Sequence, residues 1–414
     1  MAYTRRDFLR MGALFVSIGA TAPAFITRTV EAATLNGTLP RTLVVVQLSG
    51  GNDGMNTVVP YSDPKYRELR PTIALTNDEL LPLDDRLALH SAMARLHERY
   101  ARGEVAIIEG VGYPNPNRSH FRSMEIWQTA IPEKFEPSGW IGRYLDANCC
   151  GAPVSGTEVS NAAVNIGGNL PLSFWTSHVL VPAIGTVNAF QFQTDGEYPD
   201  DRQNQLSAIR EIYARASSPR EHEEFVRNVG LGAIETSERV QQLARSYTPQ
   251  ATYANDSFSQ NMKLIAQLMQ ADLGTRIYYV ALGGFDTHSR QARTQATLLK
   301  NLSDGVDSFL SDMEAQGKAD DVLVLSFSEF GRRARQNGSD GTDHGTAAPM
   351  LAVGHGVRGG IHGNAPDLVN LVDGDLKYEI DFRSVYSTVL EGWLGAKSSE
   401  VLGGRFDPVP FLTV

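Results

Sequence analysis

Apolar residues recur along this chain in two rhythms that take turns. Residues 42 to 48, Thr-Leu-Val-Val-Val-Gln-Leu, form a nearly continuous β-branched run that ends in Ser49-Gly50-Gly51-Asn52-Asp53-Gly54. A run apolar on both faces predicts a strand buried in the middle of a sheet. Val105 to Glu109 predicts a second strand, and Leu96 to Tyr100 before it reads as the end of a helix. The order returns later, with a helix around Met262 to Leu273 and a strand from Arg276 to Leu282. A further helix comes next, whose Leu299, Leu302, Val306, Phe309 and Met313 recur at helical spacing until Gly317 ends it. Asp321 to Ser326 supplies another largely apolar strand, Met350 to Val353 a short one, and Val385 to Leu394 a closing helix. Repeated strand and helix units with apolar strands predict an α/β fold: a mostly parallel sheet flanked by helices.

Two stretches depart from this pattern. From about 188 to 257 the chain is polar, rich in Gln, Arg and Glu, and patterned as helices without strand signals. It reads as a mainly helical insertion or lid on a single domain spanning 33–414. At the front, Thr4-Arg5-Arg6-Asp7-Phe8-Leu9-Arg10 precedes an apolar run from Met11 to Ile26 and then Val30-Glu31-Ala32. This has the form of a twin-arginine signal peptide over 1–32, removed after Ala32. The apolar run is shorter than the ~20 residues of a spanning helix, and Gly12, Gly19 and Pro23 interrupt it. The expectation is a periplasmic or secreted protein that meets the twin-arginine translocase during export and keeps no stable membrane span after cleavage. That route carries folded proteins, a hint of a metal or cofactor inserted beforehand.

Composition narrows the classes of function. With 42% hydrophobic positions the chain can build a sizeable core. Lys and Arg number 37 against 47 Asp and Glu, a net charge of −10, so no electrostatic footprint for nucleic acid exists. Two cysteines cannot make a disulfide framework. Cys149 and Cys150 are adjacent, and a bond between neighbours closes almost no loop; they read as two small part-buried residues, with a vicinal redox pair as the other reading.

In a parallel α/β sheet, ligands collect outside the carboxyl ends of the strands. Asn52-Asp53-Gly54 comes after the first predicted strand, Gly283-Gly284-Phe285-Asp286-Thr287-His288 after the one at 276 to 282, and Ser328-Glu329-Phe330-Gly331-Arg332 after the one at 321 to 326. Gly341-Thr342-Asp343-His344-Gly345-Thr346 precedes the short strand at 350. Carboxylates and histidines crowded at one edge repel unless something positive sits among them, and this O/N mixture suits a divalent cation. One or two ions are expected, of zinc, manganese, calcium or magnesium. Each residue also has a plainer reading: Asp53 as a turn former, Asp286 as a helix N-cap, Glu329 paired with Arg332 or Arg333, and His344 as a satisfied loop histidine.

Those segments, together with the export signal and Ser138-Gly139-Trp140-Ile141-Gly142-Arg143-Tyr144-Leu145-Asp146, resemble the bacterial family DUF1501 across essentially the whole mature chain. The resemblance implies the alkaline phosphatase-like superfamily of sulfatases and phosphoglycerate mutases, whose members usually hold two divalent metals. It implies that Asp53 matches the first-strand aspartate that bridges the metals, and that Asp286 and His288 bind one of them. His344 resembles the last histidine of the phosphatase pattern, with Asp343 as ligand or supporting partner. Glu329 stands where an aspartate followed by histidine is usual, and Phe330 in place of that histidine leaves a second metal short of a ligand.

A phosphatase-type mechanism also needs a nucleophile at a helix N-terminus. Asn115-Pro116-Asn117-Arg118-Ser119-His120-Phe121 precedes the helical Met124-Glu125-Ile126-Trp127. Ser119 is the candidate nucleophile, with Arg118 or Arg122 gripping nonbridging oxygens and His120 as ligand or acid; a simple N-cap is the other reading of Ser119. No Cys-x-Pro-x-Arg sulfatase motif is present. Gly354-His355-Gly356-Val357-Arg358-Gly359 fits a dinucleotide fingerprint, but Gly360-Ile361-His362-Gly363 continues as loop where a helix is required. Asn337-Gly338-Ser339-Asp340-Gly341 has the composition of a calcium loop without the distal Glu of an EF-hand. The expected function is a metal-dependent hydrolase of a small-molecule or polymer phosphate or sulfate ester. The alternative is a non-catalytic periplasmic binding or scaffold protein on the same fold.

Overall fold

A computed structural model describes residues 41–148, 158–159, 162–176, 179–185, 200–215, 241–242, 247–270 and 274–413. The export signal, Cys149, Cys150 and much of the 188–257 stretch lie outside the described residues.

The central sheet is built from β1 (Thr42–Ser49), β2 (Val105–Gly112), β3 (Ala163–Ile166), β4 (Ala183–Ile184), β5 (Ile277–Gly283), β6 (Val322–Ser328), β7 (Ala348–Val353), β8 (Gly360–His362) and β9 (Ile380–Asp381). Its order is β8-β2-β7-β6-β1-β5-β3-β4, with β9 also pairing β2. β1 lies in the middle, parallel to β5 on one side and β6 on the other. Its residues alternate between two cores: Val44, Val46 and Leu48 enter one, Leu43 and Val45 the other. This is why the run is apolar throughout, since both faces are covered.

One face carries α1 (Ala94–Ala101), α4 (Ser257–Gln270) and α5 (Gln291–Ala315), through Leu96, Met262, Leu302 and Phe309. The other carries α2 (His120–Thr129), α3 (Trp140–Asn148) and α6 (Phe382–Thr388), through Trp127, Trp140 and Tyr386. The fold class is therefore α/β with a mostly parallel sheet between helices. Within the expected insertion, Asp201–Arg215 is helical. No helix among the described residues is long and apolar enough to cross a membrane.

Two features go beyond the sequence pattern. β7 runs antiparallel to both β6 and β2. The link from β6 to β7, residues 329–347, contains no helix; without a crossover the chain can only turn back on itself. β3, β4, β8 and β9 have no counterpart among the predicted strands, because runs of two to four residues carry too little pattern to read, and β8 takes up Gly360 to His362 of the stretch expected as loop.

A histidine and carboxylate cluster at the strand ends

The carboxyl ends of β1, β5 and β6 are neighbours, with Ser49 opposite Gly283 and Leu48 opposite Ser328. The loops that leave them therefore meet. Gly50 and Gly51 make this possible, at φ +117° and +81°: a side chain on Gly50 would run into the backbone of Asp286, and one on Gly51 into the ring of Phe330. Arg332 ties the three loops together. Fully buried, it donates to Gly51 O at 2.7 Å, Thr342 O at 2.9 Å, Phe285 O at 2.9 Å, Asp286 Oδ1 at 2.8 Å and Gly50 O.

Around Asp286 stand three histidines. His288 Nε2 lies 3.0 Å from Asp286 Oδ1, His344 Nε2 3.2 Å and His120 Nε2 3.6 Å, while the Nε2 atoms of His288 and His344 are 2.9 Å apart. Each ring is anchored by its other nitrogen. His344 Nδ1 is 2.8 Å from Arg118 O, His120 Nδ1 is 2.9 Å from Glu329 Oε1, and His288 Nδ1 is 3.2 Å from Asp343 Oδ1. A carbonyl or carboxylate oxygen only accepts, so in each neutral ring Nδ1 carries the proton and Nε2 presents a lone pair. Three lone pairs then face a carboxylate. The arrangement calls for a positive charge beyond Arg332, and its N/O donor set fits a divalent metal of the zinc type. Among the described residues, ligand atoms of His120, Asp286 and His344 lie within 4.8 Å of one another.

Burial works to raise the Asp286 carboxyl, but the Arg332 guanidinium outweighs it, with His344 and His288 adding to the effect in their protonated forms, and the group is held at about 2. Asp343 is also held below the usual carboxylate range, first by its bond from Asn337 and then by His288. Asp343 is largely exposed and, among the described contacts, meets the cluster through His288. Replacing it by Asn should leave the fold intact and weaken divalent metal binding by roughly 10- to 100-fold, read by metal titration beside circular dichroism; unchanged affinity would remove Asp343 from the site.

The remaining expected site residues take more varied positions. Glu329, 2% exposed, accepts from Gly50 N at 2.8 Å as well as meeting His120, and pairs with neither Arg332 nor Arg333 among the described contacts. Asp53 is fully buried, with Oδ2 on Arg70 Nη1 at 2.6 Å and on Gln291 Nε2, and Oδ1 unpartnered; it is not in the histidine group. Ser119 is exposed at the N-cap of α2, where its hydroxyl makes no capping bond. The Arg118 guanidinium pairs with the buried Asp375, and Arg122 is taken up by Glu125 and the carbonyls of Pro132 and Lys134. Phe330 is buried against the rings of His120 and His344, at 5.0 and 4.6 Å between centroids. Sequence reading misses Arg70, Gln291 and the loop-clamping role of Arg332; nothing in their own neighbourhoods marks them out.

Fold and cluster together define an α/β protein with histidines and carboxylates gathered at the carboxyl edge of a largely parallel sheet. The family model of DUF1501, described as a protein of unknown function, matches residues 187–392 of this chain. The match holds Asp286, His288, Glu329, Asp343 and His344 and leaves out Asp53 and the 118–120 segment, a narrower span than the motifs imply. No curated protein matches the chain. Similar solved structures include the sulfatase PsFucS1 from Pseudoalteromonas sp., with TM-score 0.38 and 11% identity over 93% of this chain and 73% of that one. A protein in the alkaline phosphatase superfamily from Vibrio parahaemolyticus has TM-score 0.32 and 10% identity over 83% and 71%. The C-terminal periplasmic domain of EcEptC from Escherichia coli, in complex with Zn, has TM-score 0.32 and 12% identity over 77% and 74%.

Proposed function

We propose that this chain is an exported, metal-dependent hydrolase that cleaves a phosphate or sulfate ester through Ser119. The observation that carries the reading is the convergence of three histidine Nε2 atoms on Asp286 Oδ1, each ring fixed by an oxygen at Nδ1. Asp286, His288 and His344 would hold the metal, three protein ligands being the usual number at a catalytic zinc. Asp53 is already engaged by Arg70 and Gln291, which favours one metal per chain over two.

A bound divalent cation would polarise the nonbridging oxygens of the ester. The chain does the rest. Arg332 keeps Asp286 ionised and aimed, and Arg118 O and Asp343 fix the faces of His344 and His288. The Ser119 hydroxyl oxygen attacks phosphorus or sulfur, and its proton passes to His120 Nε2. Glu329 holds the other nitrogen of that ring and stabilises the imidazolium that forms. The bond to the ester oxygen breaks, and the leaving oxygen takes the proton back from His120. Water then releases phosphate or sulfate from Ser119. Free N–H groups at the first turn of α2 favour the negative charge that builds beside Ser119.

The second reading, a binding scaffold, draws on Phe330, which fills the space beside His120 and His344 with an aromatic ring rather than another ligand. Protein purified from its native compartment without chelator should carry close to one equivalent of divalent metal by mass spectrometry. It should also hydrolyse p-nitrophenyl phosphate or p-nitrophenyl sulfate, with Ser119→Ala slower by roughly 1,000-fold or more. Metal-loaded protein inert to both esters would overturn the hydrolase and leave the scaffold.

A further inference from the structure

The first residue of α5, Gln291, is fully buried, an unusual place for an amide. Arg290 before it takes a left-handed backbone at φ +45°, uncommon outside glycine. The turn is held by Ser339 O, which accepts from Arg290 N at 2.9 Å, and by Asp340 O, which accepts from Gln291 N at 2.8 Å. Backbone strain of this kind persists only where the surroundings enforce it. Here it delivers the Gln291 side chain beneath the histidine cluster. Its Nε2 donates to Asp53 Oδ2, beside the Arg70 guanidinium. Its Oε1 accepts from Thr342 Oγ1 at 2.7 Å and from Thr287 Oγ1 at 3.2 Å. Paired with Arg70, the Asp53 carboxylate only accepts, so the amide has one orientation, nitrogen toward Asp53 and oxygen toward the hydroxyls.

Both threonines are buried, and both adjoin the cluster. Thr287 lies between Asp286 and His288, and Thr342 comes two residues before His344. Thr342 N also donates to Thr287 O at 3.2 Å. A single side-chain oxygen therefore holds the two loops whose histidines face each other at 2.9 Å. Gln291 itself meets none of the cluster side chains among the described contacts. From Arg70 through Asp53 and Gln291 to the two hydroxyls, each bond polarises the next. An apolar side chain of the same length would leave both hydroxyls without this acceptor, and a glutamate would set a second carboxylate against Asp53. We infer that Gln291 is a positioning residue of the metal centre: it sets the separation of His288 and His344, and with it the affinity and geometry of the ion, without touching the ion. The inference rests on reading the cluster as a metal centre.

Gln295, one turn further along α5, supplies the control. It is 1% exposed and donates to Asn52 Oδ1 at 2.9 Å and Thr57 Oγ1 at 3.2 Å, reaching neither histidine loop. The test is zinc affinity of the full chain by competition with a chromophoric chelator, beside the visible spectrum of the cobalt-substituted protein. Gln291→Met should weaken zinc by ~10-fold or more and alter the cobalt bands, as loss of a partner that orients ligands does. Thr342→Val should weaken zinc by about 5-fold, the equivalent of one hydrogen bond. Gln295→Met should lower the unfolding temperature and leave zinc affinity and the cobalt spectrum as they are. Should Gln291→Met fail to fold, Thr342→Val decides alone. Unchanged affinity and spectrum in the folded variants would overturn the inference and leave the centre standing. An equal loss of affinity in Gln295→Met would overturn it too, since the effect would then follow from weakening the helix. Wild-type protein that binds no zinc, or binds it equally after Asp286→Ala, would overturn the metal centre and this inference with it.

Discussion

Asp286→Ala should remove the metal and the activity together while leaving the fold standing. The carboxylate is half exposed and lies at the meeting point of His120, His288 and His344. Arg332 would keep its bonds to Gly51, Thr342, Phe285 and Gly50, so the loops would stay clamped without Asp286. Loss of a partner outside the coordination shell typically weakens metal binding ~10- to 100-fold. Loss of the carboxylate itself should exceed that, taking bound metal from near one equivalent to a small fraction after desalting. His120→Ala separates the roles: metal should be retained, and turnover should drop by ~10²–10⁴ with the loss of the proton carrier. If Asp286→Ala keeps its metal, the ion is held elsewhere and the proposed centre is wrong. If His120→Ala loses metal along with activity, that ring is a ligand and the proton is carried by another group.

The second large effect is on stability. Arg70 and Asp53 form an ion pair with side chains 0% and 1% exposed. The guanidinium also donates to Ala334 O at 3.0 Å, Asn56 Oδ1 at 2.8 Å and Arg333 O at 3.0 Å. Arg70→Leu would strand a buried carboxylate and three acceptors, and chemical denaturation should show a loss of ~3–5 kcal/mol. Arg70→Leu combined with Asp53→Asn should recover part of this, because the amide carries no charge to strand. A loss below ~1 kcal/mol in the single variant would mean that water or another cation reaches Asp53, and that the pair is not a structural one.

How far the sequence reveals these arrangements depends on the length scale of the signal. β1 and α5 are readable because their apolar spacing is set by burial on faces of known period. Asp286, His288, Glu329 and His344 are readable because buried strands of one sheet deliver their loops to a shared edge. His120 stands out through its place before a helix after the second predicted strand. Pairings formed across the chain leave no local mark. Asp53 reads as a metal-bridging aspartate until Arg70, at the end of a short helix 17 residues on, is seen to reach it. Arg332 sits four residues after β6 and resembles any loop arginine, yet its partners lie as far as 282 residues away. The antiparallel course of β7 is hidden for a related reason, since direction depends on what the connecting loop lacks.

The span of the Arg332 bonds also sets a timetable. Four of its five acceptors belong to loops that leave β1 and β5, while Arg332 itself, its fifth acceptor Thr342 and His344 come after β6. A chain emerging from the ribosome therefore displays Gly50, Gly51 and Asp286 long before the residue that draws them together, and no early fragment holds a preformed donor set. On the proposed function, metal loading is then a late event in the life of the chain, after the last central strand has docked.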